Sequence, residues 1–315
     1  MTVLEPYRRT GADPPFGDPR RAHGVAFEGY YWRLTDAAAG RVVIVLCGVT
    51  IDAAGPWAVV ALAAHPEGLV RSRVVPVARA DAQGFGVEAG EVLRGSEGAL
   101  RVDLGPDARL DVALKDRRGW PRQAFGGVGP AQIVPGLPQY WHPHLLGARV
   151  TGEARLGATA VDLSAATAYA EKNWGPAFTE HWWWGQAQGF PAADACVAFA
   201  GGRIALGAVR GAPTAVAMRV EDRVLRLAPP FARMTAAVGE TGWRVRARSA
   251  RHRVELEGEA AGAPAVLPVP VPGRREVEDR SHQYLAGRLR VSVRRGRRVL
   301  FAGESALAGL ERWAP

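Results

Sequence analysis

Apolar residues along this chain come in short runs, broken at brief intervals by glycine, proline and aspartate. That pattern belongs to many strands joined by turns, and the periodicity of helices is scarce. The runs 25–34, 41–50, 57–64, 72–78, 99–104 and 109–114 have strand length, and 181–188, 195–200, 203–208, 214–220, 223–228, 242–248 and 251–257 repeat the texture. Two further runs, 289–293 and 298–302, read as a hairpin whose tip carries Arg294, Arg295, Arg297 and Arg298 around Gly296. Gly201-Gly202 signals another hairpin, and Glu221-Asp222 a weaker one. Many antiparallel strands at this spacing predict an all-β protein of two barrel-like domains packed together, because closure removes exposed strand edges. The expected division is a polar segment 1–23, an N-terminal β domain 24–176 and a C-terminal β domain 177–315. The stretch 119–144 lacks alternation and is rich in Gly, Pro, Gln and aromatic residues, which predicts a long functional loop or lid.

Composition keeps this picture and narrows the partners. With 315 residues, 48% of them apolar and 23% charged, the chain has a globular composition. Its net charge of +9 comes almost wholly from arginine, since Lys115 and Lys172 are the only lysines. The arginines are scattered, so no nucleic-acid partner is expected, and the arginine hairpin reads first as a solvated tip. Peripheral contact with an anionic membrane stays open. Cys47 and Cys196 sit far apart inside apolar runs and read as buried thiols. Residues 1–23 lack the apolar core of a secretory signal, and the longest apolar stretches, 42–49 and 57–64, fall short of the roughly 18 residues that cross a bilayer. A cytoplasmic location without a transmembrane helix is expected.

Three clusters could carry chemistry. In Phe27-Glu28-Gly29-Tyr30-Tyr31-Trp32, alternation puts Glu28, Tyr30 and Trp32 on one strand face, where an acid among aromatics would be desolvated and its proton favoured. The bland reading, a Glu28 paired with an arginine, is as good. In Gln139-Tyr140-Trp141-His142-Pro143-His144, the two histidines share a face, yet no third ligand follows at a metal-site spacing, so Trp141, His142 and His144 read better as pocket lining or structure. The third cluster, 169–188, holds Tyr169, Glu171, Lys172, Asn173, Trp174, Phe178, Glu180, His181, Trp182, Trp183, Trp184, Gln186 and Gln188. It includes the chain's sole asparagine beside one of its two lysines, which argues that those side chains are needed there. On an extended strand Trp182, Trp184, Gln186 and Gln188 face one way and Trp183 the other.

Glu171-Lys172-Asn173-Trp174-Gly175, then Phe178, Trp182, Trp184 and Gln186, resembles the signature of the tocopherol cyclase-like family. Phe27-Glu28-Gly29-Tyr30-Tyr31, His252-Arg253-Val254-Glu255-Leu256-Glu257, and the stretch from Gly287-Arg288-Leu289 to Leu310 are similar to flanking elements of that family. Thr179 departs from it, standing where the family usually has proline, and the chain is shorter than the plant enzymes. The resemblance implies a two-domain lipocalin-like fold and closure of a chroman ring on a prenylated quinol, by alkene protonation and capture of the cation by the phenolic oxygen. It implies no cofactor and a hydrophobic prenylated small molecule as partner. Glu171 or Glu28 would be the proton donor, with Lys172 and Asn173 positioning the acid or the phenol. Trp174, Trp182 and Trp184 would line the cavity and Gln186 would bind the quinol head, with Tyr30, Trp32, Trp141, His142 and His144 as further lining. A competing arrangement has Lys172 paired to Glu171, which would keep that carboxylate ionised. Relatives with the same implied fold, carotenoid hydratases and natural-product cyclases, set the alternative chemistry, and a carrier of a quinone or terpenoid is the non-catalytic one.

Overall fold

The computed structural model describes residues 5–13, 21–121, 125–206 and 209–314. Part of the polar N-terminal segment, residues 122–124 of the expected loop and residues 207–208 of the run 203–208 lie outside them. The described chain is nearly all-β in its regular structure, with one short helix, Glu5–Arg8, and one 3-10 turn, Gly129–Ile133. No described helix is long and apolar enough to cross a membrane.

The strands form two large antiparallel sheets. Those of the first fall between Phe27 and Gly175, and those of the second between Trp182 and Trp313. In both, the first strand pairs with the last: Phe27–Asp36 with Thr167–Gly175, and Trp182–Ala187 with Arg298–Trp313. In both, the two ends of the strand order are consecutive in the chain. Leu69–Val75 and Ala78–Ala80 end the first sheet, and Arg223–Leu227 and Ala232–Val238 the second, with prolines in each short connection (Pro76; Pro229 and Pro230). Each sheet therefore curls until its edges are tied by a few residues of its own chain, the barrel-like architecture that the alternation predicts and the lipocalin-like one that the resemblance implies.

Side-chain alternation explains the cores. Tyr30, Trp32, Leu34, Val43, Val45, Val60 and Leu62 point into the first barrel. Val197, Phe199, Met218, Val245, Leu256 and Val291 fill the second. The strand Phe27–Asp36 is buried at all ten positions, because its outer face lies under the second sheet. A third cluster forms this junction, with Tyr31, Ile44, Ala61, Trp141 and Tyr169 from the first sheet against Trp184, Cys196, Ala217, Leu267 and Leu285 from the second. Polar pins cross it: Arg33 donates to the carbonyls of Leu285 (2.6 Å) and Leu307 (2.7 Å), Gln188 to that of Thr167 (2.6 Å) and Arg219 to that of Leu146 (3.0 Å).

Several expectations hold, and some change. The arginine-tipped hairpin is present, joining Val277–Arg295 to Arg298–Trp313 with Gly296 at φ +59°. Glu221-Asp222 turns between Thr214–Val220 and Arg223–Leu227. Both cysteines are buried free thiols. Gly201-Gly202, in contrast, makes no turn and ends the strand Ala195–Gly202. A Cβ at Gly201 would lie 2.3 Å from Nε1 of Trp183, so the glycine makes room for an indole. The stretch 119–144 is not one loop. Its end is the strand Tyr140–Leu145, hydrogen-bonded to Thr167–Gly175, which was itself absent from the expected strands. A polar, charged strand buried on both faces leaves no apolar alternation to read.

Candidate functional site

Thr167–Gly175 is a central strand of the first sheet, held by Phe27–Asp36 on one side and Tyr140–Leu145 on the other. Its period of two divides the signature residues. Tyr169, Glu171 and Asn173 face the second sheet, and Ala168, Ala170, Lys172 and Trp174 face the opposite way. Where the sheets meet lies a cavity of about 250 Å³. The first sheet supplies Tyr31, Trp141, Glu171 and Asn173 to its wall, and the second supplies Trp182, Trp184, Gln283 and Glu311.

Glu171 is the centre of this arrangement. Its side chain is buried, and Oε2 accepts from the indole N–H of Trp141 (2.8 Å), the indole N–H of Trp184 (2.9 Å) and, at very short range, the Tyr169 hydroxyl. Burial pushes the carboxyl up, the three donors pull it down, and the nearby Glu311 pushes it up again, leaving it at about 7. All three donors converge on one oxygen, so Oε1 takes none of these bonds and is the oxygen left to carry a proton in a residue that lines the cavity. Because the donors favour the anion, they stabilise the conjugate base as the proton departs.

A second buried carboxyl stands across from it. Glu311 Oε1 accepts from Trp182 Nε1 (2.8 Å) and Oε2 from Gln283 Nε2 (2.9 Å), and the Tyr31 hydroxyl donates to Gln283 Oε1 (3.2 Å). Burial raises the Glu311 carboxyl, and bonds from Trp182, Ser281 and Gln283 oppose the shift. In register, Glu311 is the direct cross-strand partner of Trp184, the residue whose indole holds Glu171.

The remaining expected residues divide by face. Asn173 reaches the cavity wall and lies over Gly29, its cross-strand partner, where a Cβ would come within 2.2 Å of Asn173 Oδ1. Glu28, Tyr30 and Trp32 do share a face, but it points into the first barrel, away from the cavity. There Glu28 pairs with Lys172 at 2.5 Å and accepts from the Tyr30 hydroxyl and the His23 backbone N–H. Lys172 also donates to the Arg21 carbonyl at 2.7 Å. The pairing of Lys172 with Glu171 is therefore corrected: neighbours on a strand face opposite ways. Trp174 too is turned from the cavity, stacked between His23 and Tyr140, with its indole bonded to the Gly11 carbonyl. Gln186 is fully buried against Cys196 in the junction and does not line the cavity. His142 packs on Trp120 and His144 on Phe85, also outside it, and no metal-binding group of His, Cys, Asp and Glu occurs among the described residues.

Tyr31, Tyr169, Gln283 and Glu311 were not singled out as site residues. The period-two rule alone puts Tyr169 on the face of Glu171, so that signal was available. Glu311 had none, because only the pairing of Arg298–Trp313 with Trp182–Ala187 brings it to the cavity.

A family model described as tocopherol cyclase-like matches residues 107–312. The chloroplastic tocopherol cyclase of Zea mays is 25% identical over 171 residues, 52% of this chain and 36% of that protein. A probable chloroplastic tocopherol cyclase of Oryza sativa subsp. japonica is 27% identical over 158 residues, 48% of this chain and 34% of that one. The matched region thus spans about a third of the length of these relatives. Among solved structures, CghA with Sch210972 superposes with a TM-score of 0.57 at 14% identity, covering 92% of this chain and 89% of that one. Kievitone hydratase from Nectria haematococca does so with a TM-score of 0.52 at 10% identity, covering 91% and 89%. These two share the fold. The match covers more than half of the chain and holds the Glu171 strand, so the chain belongs to the tocopherol cyclase-like family.

Proposed function

We propose that this protein is a cofactor-independent cyclase that closes a chroman-type ring on a prenylated quinol. The observation that carries the reading is Glu171, a buried carboxyl at about 7 in the wall of an aromatic cavity. Near neutral pH such a group is protonated in a large fraction of molecules, which an ordinary surface glutamate is not. Glu171 Oε1 gives its proton to the less substituted alkene carbon, a C–H bond forms, and the tertiary carbon becomes cationic. The phenolic oxygen then forms the C–O bond and releases its own proton, so the reaction is redox-neutral and atom-balanced. The rings of Tyr31, Trp141, Trp182 and Trp184 line the space for the cation, and a cation over a desolvated aromatic face gains about 2 kcal/mol. The cavity's 250 Å³ lies just below the roughly 300–1,000 Å³ of ordinary ligand pockets. It suits the quinol head and the adjoining isoprene unit, with the rest of the tail toward the opening.

Purified protein given prenylated hydroquinones without added cofactor is expected to yield the chromanol, and Glu171→Gln to lower kcat by about 10²–10⁴-fold while still folded. Recovery of unchanged quinol with full occupancy would contradict catalysis and indicate a carrier. A tertiary alcohol as product would indicate hydration in place of cyclisation.

A further inference from the structure

The mechanism leaves the proton of the attacking hydroxyl without a named acceptor, and Glu311 occupies the place such a group needs. It comes from the opposite sheet to Glu171 and lines the same cavity. Its two oxygens are held by separate donors, Trp182 and Gln283, and its backbone carbonyl accepts from Trp243 Nε1 at 3.2 Å, so the side chain is fixed on both ends. We infer that Glu311 is the base of the reaction: as a carboxylate it takes the proton that the nucleophilic hydroxyl loses when the C–O bond forms. This inference rests on the proposed cyclisation, and it adds a residue on the second sheet to the machinery.

Burial raises the Glu311 carboxyl, and the donors Trp182, Ser281 and Gln283 oppose that shift by favouring the ionised form. The neighbouring His282 ring acts in the same direction as these donors. Glu171 is paired with that negative charge, which helps it keep its proton. The other titratable groups packed about the two acids are Tyr31, Arg33, Tyr169 and Cys196; burial holds the tyrosines and the thiol in their neutral forms near pH 7. In the proposed reaction the pair begins a turnover as one acid, Glu171, and one base, Glu311. Cyclisation moves one proton from Glu171 to the substrate carbon and one from the substrate oxygen to Glu311. Exchange with water after product release restores both.

The test uses Glu311→Gln in the full chain, which keeps an acceptor for Trp182 but cannot take a proton. In wild type, kcat/KM should rise as Glu311 ionises and fall as Glu171 loses its proton through about 7. In Glu311→Gln the rising limb should vanish and kcat drop about a hundredfold, with KM changed less than about threefold. Glu311→Asp, which keeps the charge, should retain both limbs. A second readout needs no turnover: the infrared carbonyl band that Glu171→Gln abolishes should titrate at lower pH in Glu311→Gln, because a neighbouring negative charge has been removed. A wild-type pH profile in Glu311→Gln, or an unmoved Glu171 titration, overturns the inference. If the wild-type protein turns over no quinol, the cyclase reading fails, and the infrared titration alone decides whether the two carboxyls act as a coupled pair.

Discussion

At the residue scale, the site is a contest between burial and hydrogen bonding over one carboxyl. Desolvation pushes the Glu171 carboxyl up, and the donors Tyr169, Trp184 and Trp141 oppose it, leaving it at about 7. Trp184→Phe removes one donor, so Glu171 should titrate higher and the alkaline limb of kcat/KM should move to higher pH; a shift to lower pH would contradict the balance described. The same shift has a cost in stability. Between the unfolded value of 4.5 and the folded value of about 7, the folded state binds the extra proton, so stability is full below that window and falls as pH rises through it. Glu171→Gln should therefore be more stable than wild type at pH 8, by at most about 3 kcal/mol, and indistinguishable from it at pH 4. Equilibrium denaturation at the two pH values checks this.

At the scale of the element, the strand Thr167–Gly175 does two jobs on two faces. Toward the cavity it presents the acid, and toward the barrel end it presents Lys172, fully buried, paired with Glu28 and seated between the rings of Tyr30 and Trp174. Burial pushes the Lys172 ammonium down, and Glu28 pulls it back up. The rarity of lysine and asparagine in this chain pointed to Lys172 and Asn173, but rarity does not say which face a side chain takes. Lys172→Met should leave Glu28 buried without its cation and destabilise the protein by about 3–5 kcal/mol in chemical denaturation. The double change Lys172→Met with Glu28→Gln should recover a large part of that loss. If the single variant were as stable as wild type, the pair would not be the tie between the strand and the segment 21–23 that its bonds describe.

The strands legible in the sequence were those with apolar alternation, such as Thr214–Val220, which the pattern placed to the residue. The strand that carries the acid was illegible for the opposite reason: both its faces are buried, one among polar groups, so it shows no alternation. Trp182, Trp184 and Glu171 were legible as cavity residues because a single local segment holds them. Gln186 was misplaced by the same segment, since a shared face extends beyond the cavity into the packed junction.

At the scale of the molecule, the cavity exists because two curled sheets bring their first and last strands together. Glu171 and Tyr31 come from one sheet, Trp182, Trp184 and Glu311 from the other, and Arg33 is pinned between them by two carbonyls of the second sheet. Residues 171 and 311 are far apart in sequence, so no local motif could have shown the pair. In the proposed reaction Glu171 protonates carbon. Turnover of a prenylated hydroquinone in D2O, followed by mass spectrometry of the chromanol, tests it most directly. Wild type should leave one deuterium on carbon per product molecule, and Glu171→Gln should form chromanol at least about a hundredfold more slowly; a chromanol free of carbon-bound deuterium, or one formed at full rate by Glu171→Gln, would overturn this step.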